Sequence, residues 1–270
     1  KELICLDEDS QNIKKSKMVA KYFFPKLNIK IIKKNIQNIS YQNEFDLVFS
    51  AGVIHHAKKT DKCLANLSRA VKKKGFIYLF LYGSGGIYFY VIRKIREILK
   101  NISYKKISLL AVEKKSSIMQ IIHYLDDWKC KYLKCYSHKD LNLRMKSLGF
   151  KKFKYLAKGN NYDMSEKKRL FKKDNIYGEG ELRYIFKRES NKLKKTKIKL
   201  SDNKFGSNIF FQKKILTTLE KEFLRSIKTL KTKSTFTKFI YCKKVHDYLL
   251  KNLKNNKKFP LMKFKKIIKI

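Results

Sequence analysis

The sequence predicts an α/β fold in which helices cover a mostly parallel sheet. An acidic and aromatic start followed by an apolar run at residues 44–50 is typical of a buried strand. Apolar residues then recur at helical spacing over 61–71, and Gly75 opens a second apolar run at 76–82. Strands that are apolar on both faces belong to parallel sheets, whose ligands bind outside the carboxyl ends of the strands. We therefore expect the ligand to meet residues 50–56.

Four further segments are predicted to extend this sheet. Short apolar runs lie at 3–7 and 29–33. Residues 151–157 and 181–187 alternate between apolar and polar, as edge strands do, and we expect the last strand to be antiparallel.

The helix between the first two strands has recognisable ends. Asp9 or Ser10 is expected to cap it, and Pro25 to close it. Its predicted buried face contains Ile13, Val19, Ala20, Phe23 and Phe24.

One stretch resembles the core of class I S-adenosylmethionine-dependent methyltransferases of the type-11 kind. It runs FDLVFSAGVIHHAKKTDKCLANLSRAVKKKGFIYLFLYG, where the family has roughly FDLV-x-S-x-GVLHH, a helix, and L-K-P-G-G before the next strand. Lys73-Lys74-Gly75 replaces the family's Pro-Gly-Gly, and the retained glycine preserves the turn. The resemblance covers about residues 3–188 and is specific over 45–82. It implies a three-layer Rossmann-like sheet, transferase activity and S-adenosylmethionine as the cofactor.

The resemblance also assigns cofactor contacts to three strand ends. Asp7 occupies the position of the family acid that accepts from ribose hydroxyls, although an acid that caps the following helix is the alternative. Asn35 stands where the family has an aspartate on the adenine, and its amide oxygen can still accept from the adenine amino group, although an ordinary loop asparagine is the alternative. The predicted cofactor-binding residues are Asp7, Asn35, Ile36, Ser50, Ala51 and Gly52.

The family's first strand and its Gly-x-Gly-x-Gly loop have no counterpart in the sequence. We expect a product truncated before the second strand of the family, hence a sheet without its first strand, and weak binding of the cofactor. The glycines at Gly83, Gly85 and Gly86 follow the wrong strand and lack the spacing of a phosphate loop, so they predict a turn.

Two histidines follow the strand at the centre of the resemblance. His55 and His56 are the candidate catalytic residues, because an imidazole can take a proton from a hydroxyl acceptor near neutral pH. The alternative for His56 is a structural role in shaping the loop.

An insertion over residues 87–136 is expected to form a lid and an acceptor site, as the resemblance implies. Asp127, Trp128 and Tyr132 resemble the Asp-Trp and Tyr of the family's acceptor segment, and core packing is their alternative. The apolar faces of the lid helices are predicted to contain Ile87, Val91, Ile95, Ile98 and Leu99, and then Ile118, Ile121, Ile122 and Leu125.

The charge of the chain is extreme. It carries 66 basic and 22 acidic residues, for a net charge of +44, and only eight of the basic residues are arginines. Proteins that recognise phosphates or bases usually use the fork of arginine, so the lysine excess is typical of compositional bias with non-specific polyanion binding. The alternative is a catalytically inactive methyltransferase-like binding module with a basic surface for nucleic acid or membrane.

The five cysteines are scattered and odd in number, which favours a reducing cytoplasm. Cys130, Cys135 and His138 offer three ligands without a second pair, and we predict no metal site. The longest uncharged run, residues 76–92, is seventeen residues long and interrupted by glycines. A membrane-spanning helix needs about 20 apolar residues, so we predict none.

The domain organisation follows from these patterns. We expect a methyltransferase domain over residues 1–190 and, over 191–270, a lysine-rich linker and a helical extension. The linker is placed at 191–208, and amphipathic helices near 212–230 and 235–253. The expected reaction is methyl transfer to a small-molecule or sugar-like acceptor.

Overall fold

The computed structural model describes residues 2–156, 179–190, 213–253 and 260–270. These residues have the predicted α/β class. The strands are β1 (Glu2–Asp7), β2 (Asn28–Lys33), β3 (Phe45–Ala51), β4 (Val71–Tyr82), β5 (Phe150–Tyr155) and β6 (Glu181–Arg188). The helices are α1 (Ser10–Phe23), α2 (Thr60–Ala70), α3 (Ile87–Leu99), α4 (Tyr104–Glu113), α5 (Ile118–Lys129), α6 (His138–Ser147), α7 (Lys213–Lys231), α8 (Thr235–Leu253) and α9 (Leu261–Ile268).

The described strands form two sheets. β1 and β2 are parallel, with Glu2 opposite Asn28 and Asp7 opposite Lys33. The second sheet has the order β3-β4-β6-β5, and β5 runs antiparallel to β6 as predicted. The sequence predicted a single open sheet. The described strands form two sheets instead, because none of them is hydrogen-bonded to strands of both.

The chain divides into two compact units. The first comprises the described residues of 1–79, 142–155 and 184–197, and the second comprises those of 80–141, 156–183 and 198–270. In the second unit the C-terminal helices pack against helices of the 87–129 region. The predicted linker over 191–208 lies outside the described residues, and the predicted domain boundary at 190 stays a prediction.

Helix α2 buries the face that the sequence predicted in the first unit. Cys63, Leu64, Leu67 and Ala70 are all buried. Strand β4 begins directly after α2, at Val71, and therefore four residues before the predicted opening at Gly75. Gly75 is required inside this strand because a Cβ there would lie 2.9 Å from the carbonyl oxygen of Asp46.

Helix α1 has the predicted cap but not the predicted buried face. The side chain of Asp9 accepts hydrogen bonds from two backbone N–H groups of the first turn. Ile13 is buried, whereas Val19, Phe23 and Phe24 are 49%, 64% and 50% exposed. Helical spacing shows which face of a helix is apolar, but it does not show what covers that face. The described sheet of β1 and β2 has two strands and is too narrow to cover the whole apolar face of α1.

The second unit has a helical core rich in aromatic residues. Its largest fully buried side chains include Tyr124, Phe223, Phe239 and Phe264. No helix among the described residues combines the length and the apolar content needed to cross a bilayer.

The buried face of α5 is rotated from the one that the sequence predicted. Ile118 and Ile122 are 74% and 52% exposed, whereas Tyr124 and Trp128 are buried. Tyr124 and Trp128 are four residues apart, so they share one helix face, and their large rings bury more apolar area than the isoleucines would.

Gly149 ends α6 in a left-handed conformation, with φ of +85°. A Cβ at this position would lie against the carbonyl oxygen of Ser190. We expect Gly149→Ala to lower the free energy of unfolding by about 1–2 kcal/mol, because alanine is strained in this region. Urea titration measures the change, with the exposed neighbouring substitution Lys146→Ala as the control. Equal midpoints for the two variants would contradict this prediction.

Candidate functional site

The predicted cofactor-binding residues all lie at strand ends of the first unit. β1 and β2 are parallel and in register, so their carboxyl ends meet at one edge. Asp7 is the last residue of β1, and Asn35 follows β2 by two residues. Ser50 and Ala51 end β3, and this places polar groups at three strand ends of one unit.

Asp7 is half-buried, and local hydrogen bonds orient its carboxylate. Its Oδ1 accepts from the backbone nitrogen of Asp9 at 2.8 Å, and its Oδ2 accepts from Asn12 Nδ2 at 3.3 Å. An ionised carboxylate offers about four acceptor positions. Asp7 therefore retains capacity for two further donors, such as a pair of adjacent hydroxyls.

Asn35 caps a short 3-10 helix, Ile36–Asn38, that follows β2. Its Oδ1 accepts from the backbone nitrogen of Gln37 at 2.7 Å, and its Nδ2 donates to the carboxylate of Glu8. Glu8 was not predicted from the sequence. No local spacing could have identified it, because its partner lies 27 residues away.

The end of β3 carries a buried hydroxyl that lacks a partner. Ser50 is 5% exposed, and its Oγ makes no hydrogen bond to any described residue. Gly52 then adopts a φ of +71°, a conformation that glycine takes without strain. An unpaired buried polar group costs about 1–3 kcal/mol, so a polar ligand bound at this strand end would relieve the cost. Asp7, Asn35 and Ser50 thus offer hydrogen-bonding groups at three strand ends, and their role in binding a cofactor stays a prediction.

The two histidines form a short 3-10 helix after Gly52. His55 is fully buried and His56 is half-buried, with the two rings edge to face and their centroids 4.2 Å apart. Because only His56 has exposed surface, it is the better placed of the two to exchange a proton with a bound molecule.

The predicted acceptor residues lie in the second unit. Asp127 and Trp128 are 5% and 2% exposed, and Tyr132 is half-buried. Trp128 stacks on Tyr124 with ring centroids 4.3 Å apart, and Asp127 accepts a hydrogen bond from the hydroxyl of Tyr88. Asp127 and Trp128 therefore make core contacts, the alternative that the sequence left open. Their role in binding an acceptor stays a prediction.

The thiols of the second unit are held in the neutral form. Burial raises the pKa of Cys130 to about 12, with the nearby carboxylate of Asp126 adding to the effect, and burial raises the pKa of Cys135 to about 11. The thiolate is the nucleophilic form of cysteine, so neither residue is an active nucleophile at neutral pH.

Comparison with protein-family models gives a match over the N-terminal part of the chain. Residues 1–79 match the sequence model of a family described as a methyltransferase domain. This segment includes the ends of β1, β2 and β3 and all six predicted cofactor-binding residues. Over these residues the chain is therefore similar to a methyltransferase domain. None of the curated proteins compared with the chain matches it in sequence.

Solved structures that resemble the chain share little sequence with it. A putative methyltransferase in complex with the Trm112 methyltransferase activator of Haloferax volcanii is 10% identical, with a TM-score of 0.44 over 70% of this chain and 73% of that one. Magnesium protoporphyrin IX methyltransferase of Synechocystis PCC 6803 is 7% identical, with a TM-score of 0.41 over 69% and 59%. A putative sarcosine dimethylglycine methyltransferase of Galdieria sulphuraria is 12% identical, with a TM-score of 0.41 over 71% and 70%. The chain thus spans 59% of the length of the second of these structures.

Proposed function

We propose that the chain transfers a methyl group from S-adenosylmethionine to a small-molecule or sugar-like acceptor. One observation carries the cofactor site: Asp7, Asn35 and Ser50 place three hydrogen-bonding groups at strand ends of one unit, and the hydroxyl of Ser50 is buried without a partner. The acceptor class rests on the resemblance of Asp127, Trp128 and Tyr132 to the family's acceptor segment. We place the reaction in the cytoplasm, because all five cysteines are free.

Each residue of the cofactor site has a distinct task in this proposal. The carboxylate of Asp7 accepts from the ribose hydroxyls, and the Oδ1 of Asn35 accepts from the adenine amino group. Ile36 packs against the ring, and the buried hydroxyl of Ser50 pairs with the amino-acid part. When bound, S-adenosylmethionine supplies an electrophilic sulfonium methyl group for in-line transfer.

His56 is the proposed proton acceptor for a hydroxyl substrate. It follows β3 directly after the cofactor residues, and it keeps part of its surface exposed. A neutral imidazole has one ring nitrogen that can accept a proton, which suits a general base.

Replacing Asp7 tests the cofactor site. We expect Asp7→Ala to weaken binding of S-adenosylhomocysteine about tenfold or more, because two charge-assisted hydrogen bonds to the ribose are lost. Calorimetry, or an NMR titration to millimolar ligand where binding is weak, measures the change. Asp46→Ala is the matched control, since Asp46 is the second residue of β3 and its side chain is 87% exposed in an ion pair with Lys72. The control should bind within about twofold of the wild type.

The binding-module alternative gives a different result in the same experiment. That alternative would be favoured by two results together. The wild-type chain would show no binding of millimolar S-adenosylmethionine, and it would bind RNA or anionic vesicles at 0.3 M salt, roughly twice physiological ionic strength. Non-specific binding to the lysine surface should instead disappear at this salt concentration, because each phosphate contact releases a counterion.

A further inference from the structure

Glu8 and Asn35 form a side-chain pair at the edge where β1 and β2 end. The Nδ2 of Asn35 donates to the carboxylate of Glu8, which directly follows Asp7. On the other side of the amide, Oδ1 accepts from the backbone nitrogen of Gln37 at 2.7 Å. Two independent partners therefore hold the two ends of one amide group.

These partners permit a single orientation of the amide. A carboxylate only accepts hydrogen bonds, so Glu8 can face the NH2 group of Asn35 but not its oxygen. A backbone N–H only donates, so Gln37 can face the oxygen but not the NH2 group. The carbonyl oxygen has two lone pairs. The backbone N–H of Gln37 uses one at 2.7 Å, and the side-chain Nε2 of Gln37 makes only a long 3.4 Å contact with the other, which an amino group of a ligand can displace.

We propose that Glu8 is a positioning residue for cofactor recognition, which fixes the amide of Asn35 so that its oxygen selects an adenine bearing an exocyclic amino group. This inference rests on the proposed function. It gives the site a preference over a purine that carries a carbonyl at the same position, because two acceptors would then face each other.

The same pair accounts for the amide at position 35, where the resembled family has an acid. A carboxylate in place of Asn35 would lie at hydrogen-bond distance from the carboxylate of Glu8, and two like charges that close repel each other. An amide donates to Glu8 instead. The acid at Glu8 and the amide at Asn35 therefore depend on one another.

Two ligands, the wild type and two variants test the selection. S-adenosylhomocysteine and S-inosylhomocysteine differ in that the exocyclic amino group is a carbonyl in the second. The wild type should prefer the adenosyl ligand by about tenfold. Glu8→Gln should reduce that preference about threefold, since the backbone N–H of Gln37 is then the only partner that selects one orientation of the Asn35 amide. Glu44→Gln is the control, because Glu44 is also exposed and accepts a local hydrogen bond from the nitrogen of Gln42 at 2.9 Å. It should keep the wild-type preference.

A charge swap tests the pair itself. Asn35→Asp alone should bind S-adenosylhomocysteine about tenfold more weakly, and adding Glu8→Gln should restore binding to within about threefold, because glutamine can donate to the new carboxylate. A cycle of urea midpoints on the same four proteins, without ligand, should show the same non-additivity.

The ligand-binding measurements and the urea midpoints without ligand distinguish a failure of the positioning role from a failure of the proposed function. Additive midpoints and an unchanged ligand preference in Glu8→Gln would overturn the positioning role. Loss of all binding in the wild type would overturn the proposed function and the cofactor role of Glu8 with it. The cycle without ligand would still show whether Glu8 orients Asn35.

Discussion

Asp127→Ala is expected to destabilise the second unit by about 3–5 kcal/mol, the usual effect of breaking a buried charged cluster. Asp127 is 5% exposed, the hydroxyl of Tyr88 donates to its Oδ2, and His246 Nε2 lies 3.4 Å from the same oxygen. His246 is itself fully buried. The cluster therefore joins α3, α5 and α8 through polar groups that have no access to water.

The protons of this cluster can be assigned from its partners. The carboxylate of Asp127 only accepts, so the single proton of the Tyr88 hydroxyl points to Asp127. The oxygen of Tyr88 lies 2.9 Å from Nε2 of His246, which must then carry a hydrogen and donate to it. Nδ1 of His246 has no hydrogen-bond partner among the described residues. Removing Asp127 would leave the hydroxyl of Tyr88 without its acceptor, and Tyr88 is the group that orders His246.

The cluster also predicts a pH dependence. Burial alone would raise the pKa of Asp127, but the hydrogen bond and charge of His246 and the hydrogen bond of Tyr88 together lower it below its ordinary value. A carboxyl with a lowered folded-state pKa contributes stability above its unfolded pKa and loses it as the pH falls through the folded value. The stability of the second unit should therefore fall below about pH 4, and less steeply in Asp127→Asn.

Denaturant unfolding at pH 7 and pH 3, followed by the fluorescence of Trp128, measures both effects. Trp128 is a suitable probe because it is the only tryptophan of the chain and neighbours Asp127 in α5. Asp247→Asn is the matched control, since Asp247 is partly exposed and pairs with Lys243 in the same unit. A loss in Asp127→Ala no larger than in the control would show that the cluster does not hold the helices together.

The strands and α2 were predictable because their signals are local. An apolar run bounded by a glycine, or an apolar face at helical spacing, lies within a dozen residues of the chain. Cys63, Leu64 and Leu67 are buried as that spacing predicts. The same signals misplaced the buried face of α5, because the partners of Tyr124 and Trp128 include Phe239, more than a hundred residues away.

The polar pairs of the two units were not predictable from the sequence. Glu8 and Asn35 are 27 residues apart, and Tyr88 and His246 are 158 residues apart. Neither pair leaves a spacing motif, because tertiary packing brings the residues together. Resemblance to a family supplied the positions of Asp7 and Asn35, but not the acid that fixes the amide.

The first unit is held at one edge by Arg188, the last residue of β6, which is 4% exposed. Its Nη1 donates to the carbonyl oxygens of Val71 and of Arg69, the latter at 3.1 Å, and to Oδ1 of Asn43 at 3.1 Å. Burial lowers the pKa of its guanidinium, which nevertheless stays charged at neutral pH. One side chain thus ties β6 to the junction of α2 and β4.

Arg188→Met is expected to cost about 2–4 kcal/mol, because methionine fills the space but removes the charged donor from the buried carbonyl of Val71 and from Oδ1 of Asn43, while the carbonyl of Arg69 keeps the backbone nitrogen of Asn43 as a donor. Arg188→Lys should recover part of the loss, since an ammonium group donates but cannot reproduce the planar fork. Urea unfolding followed by circular dichroism measures the three free energies. Arg225→Met is the control, because the side chain of Arg225 is 75% exposed and its ion pair with Glu222 is 3.5 Å long. Equal stability of Arg188→Met and this control would contradict the prediction. It would mean that the carbonyl groups around Arg188 have other donors and that the guanidinium does not join β6 to α2.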